Sequence, residues 1–162
     1  MITVHALFTA PDKGAPMESH DHIRVIKNVG LAGDRYALNR GAWSHAKPAT
    51  SRHVTFIALR AIVQANVGRG GSRGPIFRSM DTRRNVVLAG IDPTELNNLV
   101  GKTFVINEVE FFGVEPADPC DRPAKLSGKP GFKESFEGIG GLRASCLSEG
   151  VIHRKDELLL VK

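Results

Sequence analysis

The sequence predicts a mostly β protein, a closed or nearly closed β-barrel with a few short helices. Three observations predict it. About seven or eight short β-rich runs recur along the chain. Two stretches carry a helical signal. Strands and helices do not alternate regularly, which argues against a doubly wound parallel sheet. With 162 residues, no internal repeat and no long linker, one domain over 1–162 is expected.

The elements follow in order. "ITVHALF", 2–8, is rich in β-formers and alternates loosely, so it reads as a strand. "APDKGAPMESH", 10–20, is a loop marked by Pro11, Gly14 and Pro16. "DHIRVIKNV", 21–29, is a second strand with Ile23 and Val25 on one side and Arg24 and Ile26 on the other. Gly30 and Gly33 bracket a turn that ends in Asp34 and Arg35. "HVTFI", 53–57, is a short strand, and "ALRAIVQANVG" is a helix with Leu59, Ile62 and Val63 at helical spacing and Gly68 as its stop. "GRGGSRGP", 68–75, is a flexible basic loop.

"RRNVVLAG" is a strand that begins in charge and ends at Gly90. In "DPTELNNLVG", Asp92 is placed to cap a helix, Pro93 suits its first position and Glu95 lies three residues after the cap. Leu96 and Leu99 face the core, and Gly101 ends the helix. "KTFVINEVEFFGVE" is a hairpin turning near Asn107 and Glu108. "GLRASCLSEG" and "VIHRKDELLLV" supply the last strands.

Composition narrows the function. Hydrophobic residues are 41% and charged residues 24%, ordinary shares for a globular domain. No apolar run approaches the roughly 18–20 residues of a membrane span, and the N-terminal residues lack a signal-peptide pattern. The expectation is a cytoplasmic protein with no membrane partner. A formal net charge of +5 favours an anionic partner without choosing among nucleic acid, an acidic cofactor and a phosphorylated metabolite. Cys120 and Cys146 are too few for a cysteine-only zinc site, and Cys146, between apolar neighbours, reads as a core residue.

Three polar clusters stand outside the core pattern: "GDRY" with Asp34 and Arg35, "TRRN" with Arg83, Arg84 and Asn85, and "GGLR" with Arg143. Arginine presents a planar fork suited to phosphate and carboxylate. Asn85 both donates and accepts. Adjacent glycines let backbone approach a ligand. The plainer alternative is surface ion pairing, Arg35 with a nearby acid and Arg83 with Asp81. Cys120 lies on a stiff polar loop, "EPADPCDRPAK", between Pro119 and Asp121. A thiolate is both nucleophile and soft metal ligand, and Arg122 and Lys125 favour it while Asp118 and Asp121 oppose it. His20 and His22 alternate as if sharing a strand face, but a two-histidine metal site needs further ligands. His45, His53 and His153 are scattered.

In this order, "GLAGDRY", "HVTFI", "TRRNVVLAGID", "LVGKTFVINEVEFFGVEPADPC" and "GGLRASCLSEGVIHRKDEL" resemble the MOSC domain, the C-terminal domain of molybdenum-cofactor sulfurases. The resemblance runs from about residue 20 to the end. It implies a barrel related to that of pyruvate kinase, and binding or sulfuration of the molybdenum cofactor (molybdopterin). The family cysteine, a sulfur carrier or metal ligand, falls on Cys120. Its basic residues fall on Arg83, Arg84 and Arg143, which suit the pterin phosphate. Asn85 completes the RRN element, and Asp34 and Arg35 occupy the GD-containing turn. Two positions depart from the pattern: Ala58, Leu59 and Arg60 stand where an acidic residue is common, and Lys155 precedes Asp156 where a glycine is usual.

A stand-alone member has no desulfurase domain, so no pyridoxal phosphate is expected. The resemblance extends to reductases of N-hydroxylated compounds. Reduction of such a small-molecule substrate would need electron-transfer proteins in trans, and sulfur transfer would need an outside sulfur donor. A rival reading is a non-catalytic basic module for nucleic acid, carried by Arg69, Arg73 and Arg78. Against it, aromatic residues are 6% and no stacking pattern interleaves the basic residues. A simple thiol redox protein would want a C-x-x-C pair, which is missing.

Overall fold

A computed structural model describes residues 1–44, 52–67 and 76–161. The strands are β1 Ile2–Thr9, β2 Glu18–His20, β3 His22–Ile26, β4 Gly30–Leu31, β5 Val54–Ala58, β6 Val86–Ala89, β7 Thr103–Ile106, β8 Val109–Pro116, β9 Leu142–Cys146, β10 Gly150–His153 and β11 Glu157–Leu160. The helices are α1 Leu59–Asn66, α2 Pro93–Asn97, α3 Arg122–Ser127 and α4 Phe132–Ser135, with a 3-10 turn at Ser79–Thr82.

Seven strands close a barrel in the order β11-β7-β8-β9-β5-β6-β1, and β1 returns to β11. The closing seam pairs Ile2 with Leu158 and Thr3 with Glu157. Further along, β1 leaves β11 and carries β2 on the same side. A small second sheet, β10-β3-β4, lies outside the barrel order. The predicted barrel is therefore present and closed.

Each wall strand carries the expected pattern. β7 and β8 alternate, with Phe104, Ile106, Val109 and Phe111 buried. All five residues of β5 are buried. It is the strand that pairs parallel with β6, and α1 covers both on the outside, so neither face meets water. Inside the barrel the Phe56 ring meets the edges or faces of Phe104 and Phe111 at 5.3 and 5.4 Å, the T-shaped packing that aromatic quadrupoles favour. A second aromatic cluster, Phe77, Phe132 and Phe136, pins α4 to the chain ahead of the 3-10 turn.

The hairpin turns as expected. Asn107 and Glu108 both have positive φ, 48° and 65°, the two-residue reversal whose twist matches that of the strands. Other expectations need correction. The loop predicted over 10–20 ends in a strand, β2, so His20 and His22 belong to different strands. His20 bonds Thr9 Oγ1 at 2.7 Å, while the His22 ring lies against that of His153. In α1 the buried face is Ala61, Ile62 and Ala65, and Val63 points outward, 60% exposed. Asp92 does not cap α2 with its side chain. Its carboxylate takes Arg60 at 2.6 Å instead. The charged residues before β6 are not strand. Arg83 is left-handed, φ 59°. The predicted basic loop 68–75 and His45 lie outside the described residues.

Candidate functional site

The site begins with two buried polar ties. The Asn85 side chain accepts from the Thr55 amide and hydroxyl at 3.0 and 3.1 Å and donates to the Phe8 carbonyl at 3.1 Å. It joins β1, β5 and the start of β6 in the barrel wall. Asn85 is 1% exposed, so it is a structural crosslink, not part of a ligand surface. Asp34, fully buried, accepts from the Ala10 and Tyr36 amides and from Arg35 Nη1 at 3.0 Å. Arg35 in turn donates to the Arg83 carbonyl at 3.0 Å. The GDRY turn thus ties the end of β1 to the chain before β6. Its acid and base are spent on each other, as the plainer reading of Arg35 anticipated.

Arg83 does not pair with Asp81, which is taken by Arg78 and Lys129. Its left-handed backbone turns its guanidinium onto the 12–15 loop, where it donates to the carbonyls of Ala15 at 2.7 Å and Lys13 at 3.1 Å. Arg84 points the other way. Its Nε donates to Gly140 O at 2.8 Å and its Nη2 to Ala117 O at 2.9 Å, clamping the loop that leads to Cys120 against the loop before β9. The Gly140–Gly141 pair makes that approach feasible. A Cβ at Gly140 would lie 2.4 Å from Ala117 O, and one at Gly141 2.1 Å from Phe56 O. These glycines admit neighbouring backbone rather than a ligand. Arg143, on β9, pairs across the sheet with Glu115 on β8 at 2.9 Å.

Above these ties opens a cleft of about 270 Å³. Of the predicted site residues, Arg35, Arg83, Arg84, Cys120 and Arg143 line it, and Asp34 and Asn85 do not. Three further cations line it: Lys13 and Arg52, which the sequence reading did not select, and Arg122, which it set beside the Cys120 thiol without assigning it to a ligand. Among the described residues, seven cations and a single carboxylate residue, Asp118, therefore line the cleft around one half-buried thiol. The aromatic rings on the rim are Tyr36 and Trp43. The Arg35 and Arg52 guanidiniums lie 5.0 and 5.9 Å from their respective centroids.

The crowding of charge is visible in the arginines. Burial, then the neighbouring Arg35 and Arg122, pushes Arg83 down to about 10. Burial and Arg143 push Arg84 down to about 10. Burial and Arg143 also lower Arg52. All three stay charged at neutral pH, and each loss of basicity records an unrelieved cost of holding charge there. Among the described residues no group of three or more His, Cys, Asp or Glu is placed to hold a metal ion.

Cys146 is a core residue, fully buried, with burial raising its thiol to about 12. Its amide donates to His53 Nδ1 at 3.0 Å, and burial lowers the pKa of that imidazole. The unfolded chain therefore takes up a proton at His53 before the folded one does. Stability is full above the ordinary histidine range and falls as pH drops through it. Urea midpoints measured from pH 7.5 to 5 are expected to decline less in His53→Asn, whose side-chain oxygen still accepts from Cys146. An identical decline would remove His53 as the cause.

Neither a family model nor a curated protein matches the sequence. Solved structures do match the fold. YuaD from Bacillus subtilis is 17% identical, with a TM-score of 0.78 over 98% of this chain and 94% of that one. YiiM from Geobacillus stearothermophilus is 15% identical, with a TM-score of 0.70 over 100% of this chain and 76% of that one. YiiM from Escherichia coli is 13% identical, with a TM-score of 0.69 over 99% and 70%. These likenesses show a common fold.

Proposed function

We propose that the cleft binds the molybdenum cofactor through its anionic end and presents the Cys120 sulfur beside it. The observation that carries this reading is the ratio of charge: seven cations to one carboxylate around one accessible thiol. Such a focus of positive potential in a concave site draws in an anion. The donor set fits the group. A pterin phosphate would find guanidinium donors in the cleft, and Cys120 would offer the metal a soft ligand. When bound, the cofactor supplies oxygen- or sulfur-atom transfer at molybdenum. The chain's own part is to hold the thiol rigidly, to neutralise the phosphate, and to leave the cleft open toward Trp43 and Tyr36 for a small substrate. Reduction of N-hydroxylated compounds or transfer of sulfur from Cys120 both fall within this reading, and each needs a donor protein in trans.

The first test is the molybdenum content of protein purified from cells that make the cofactor, beside Cys120→Ser. Near-stoichiometric metal in the wild type, falling at least tenfold in the variant, is expected if Cys120 is a ligand. Equal metal in both would sink the ligand role. Metal absent from both, with a persulfide on wild-type Cys120 by mass spectrometry, would assign the thiol to sulfur transfer.

A further inference from the structure

Outside the cleft, on the small sheet, two histidines meet. β3 and β10 pair antiparallel, and His22 is the direct cross-strand partner of His153. Both residues are exposed, and their rings stand 5.8 Å apart, tilted by 35°. His20, which alternates with His22 in the sequence, takes no part, because its ring is bonded to Thr9 Oγ1 on β1. One ring of the pair is already oriented. The Asp156 carboxylate accepts the His153 backbone amide at 2.7 Å and lies 3.3 Å from the ring Nδ1. A carboxylate can only accept, so in the neutral imidazole the proton sits on Nδ1 and the free lone pair is on Nε2. A carboxylate behind one nitrogen and an open lone pair on the other is how metal-ligating histidines are held. The nearest cation on the turn, Arg154, is paired with Asp21 at 3.3 Å.

We propose that His22 and His153 form an exchangeable surface site for a divalent transition metal of the zinc, nickel and copper class, with Asp156 as its positioning residue. Imidazole suits these ions, whereas calcium and magnesium demand oxygen ligands. Two imidazoles bound to one tetrahedral ion at about 2.0–2.1 Å per bond have ring centroids about 5 Å apart. The 5.8 Å of the pair needs only a small closing movement of two exposed side chains. Among the described residues no third His, Cys, Asp or Glu completes the set, so water fills the remaining positions and the ion exchanges freely. Arg24, exposed two residues along β3 from His22, shares that face of the strand and holds the affinity down. A bound ion clips β10 to β3. β10 leads into the 154–156 turn, where the Lys155 amide donates to the Val4 carbonyl and the Val4 amide to the Asp156 carbonyl. The clip therefore sits beside the barrel seam. The two histidines are distant in sequence and meet only in the folded chain, so the ion stabilises the fold by mass action.

The test is calorimetric titration of zinc into metal-free, untagged Cys120→Ser protein, with thermal melts at saturating zinc. The Cys120→Ser background removes the accessible thiol, which would bind zinc itself. One ion per chain at a dissociation constant on the order of micromolar, and a Tm raised by several degrees, are expected. His22→Gln and His153→Asn are each expected to abolish both, at an unchanged zinc-free Tm, and His20→Asn to change neither. His22→Gln, on a strand, decides the matter where His153→Asn disturbs the adjoining turn. Asp156→Asn keeps an acceptor for the backbone amide and is expected to weaken binding about tenfold or more, with Asp156→Glu recovering part of the loss. Zinc binding that survives His22→Gln, or no binding up to millimolar zinc, overturns the site. Unchanged affinity in Asp156→Asn overturns the role given to Asp156.

Discussion

Asp34→Ala is expected to destabilise the protein by about 3–5 kcal/mol, because it strands a buried arginine. Arg35 is 6% exposed and Asp34 fully buried, so water cannot replace the lost carboxylate. The same change orphans the Ala10 amide at the end of β1. For a chain of this size each kcal/mol lowers Tm by about 2–4 °C, so a drop on the order of 10 °C should appear in thermal melts. The double variant Asp34→Ala, Arg35→Met removes both charges and is expected to recover part of the loss. If the single variant lost under about 1 kcal/mol, or the double were worse than the single by the full cost of Arg35, the tie would not be holding the turn.

Arg84→Ala is expected to act on the thiol as well as on stability. It leaves the carbonyls of Ala117 and Gly140 without their donor, at about 1–3 kcal/mol each when buried. The loop carrying Cys120 is then held to the start of β9 by the Ala117 amide on the Gly141 carbonyl, without the Arg84 clamp. The expected readouts are a loss of about 2–4 kcal/mol in urea unfolding and a several-fold rise in Cys120 reactivity toward a neutral reagent. Arg84→Lys, with a point charge in place of a fork, should fall between. An Arg84→Ala protein with unchanged stability and an unchanged neutral rate would show that the loop is held by its prolines and by α3 alone.

What the sequence made legible follows from how local each signal is. The Asn107–Glu108 reversal was legible because a two-residue turn is specified by its own residues and the alternating runs beside it. The α2 helix was readable from Asp92 and Pro93, though not its cap, because Arg60 is distant in sequence and arrives with α1. Strands β2 and β4 were missed: three and two residues long, they are strands because β1 and β3 lie beside them. Helices α3 and α4 were hidden by prolines and glycines: α4 forms on the Phe77, Phe132 and Phe136 cluster, and α3 packs against the 3-10 turn and α4.

The candidate site divides the same way. The polar clusters stood out because charge and amide within strand-rich sequence need an explanation. Their division of labour was not visible. Asn85 and Asp34 face inward because their partners, Thr55 and Ala10, are placed by strand pairing. Lys13 and Arg52 looked like ordinary loop cations. What makes them part of the cleft is barrel closure, which has no local signature. Arginine next to a proline-flanked cysteine was the one available hint for Arg122.

The seam between β1 and β11 has a consequence for synthesis. The wall closes when residues 2 and 3 meet 157 and 158, a pairing of residues very far apart in sequence. A nascent chain on the ribosome therefore holds an open wall, with the β1 edge unpaired, until Glu157–Leu160 has emerged. Long-range pairing of this kind folds slowly, and an exposed edge in the interval invites association with other chains. Yield in the cell should thus depend on how fast the last strand is delivered, a property set by translation and chaperones as much as by the stability of the finished barrel.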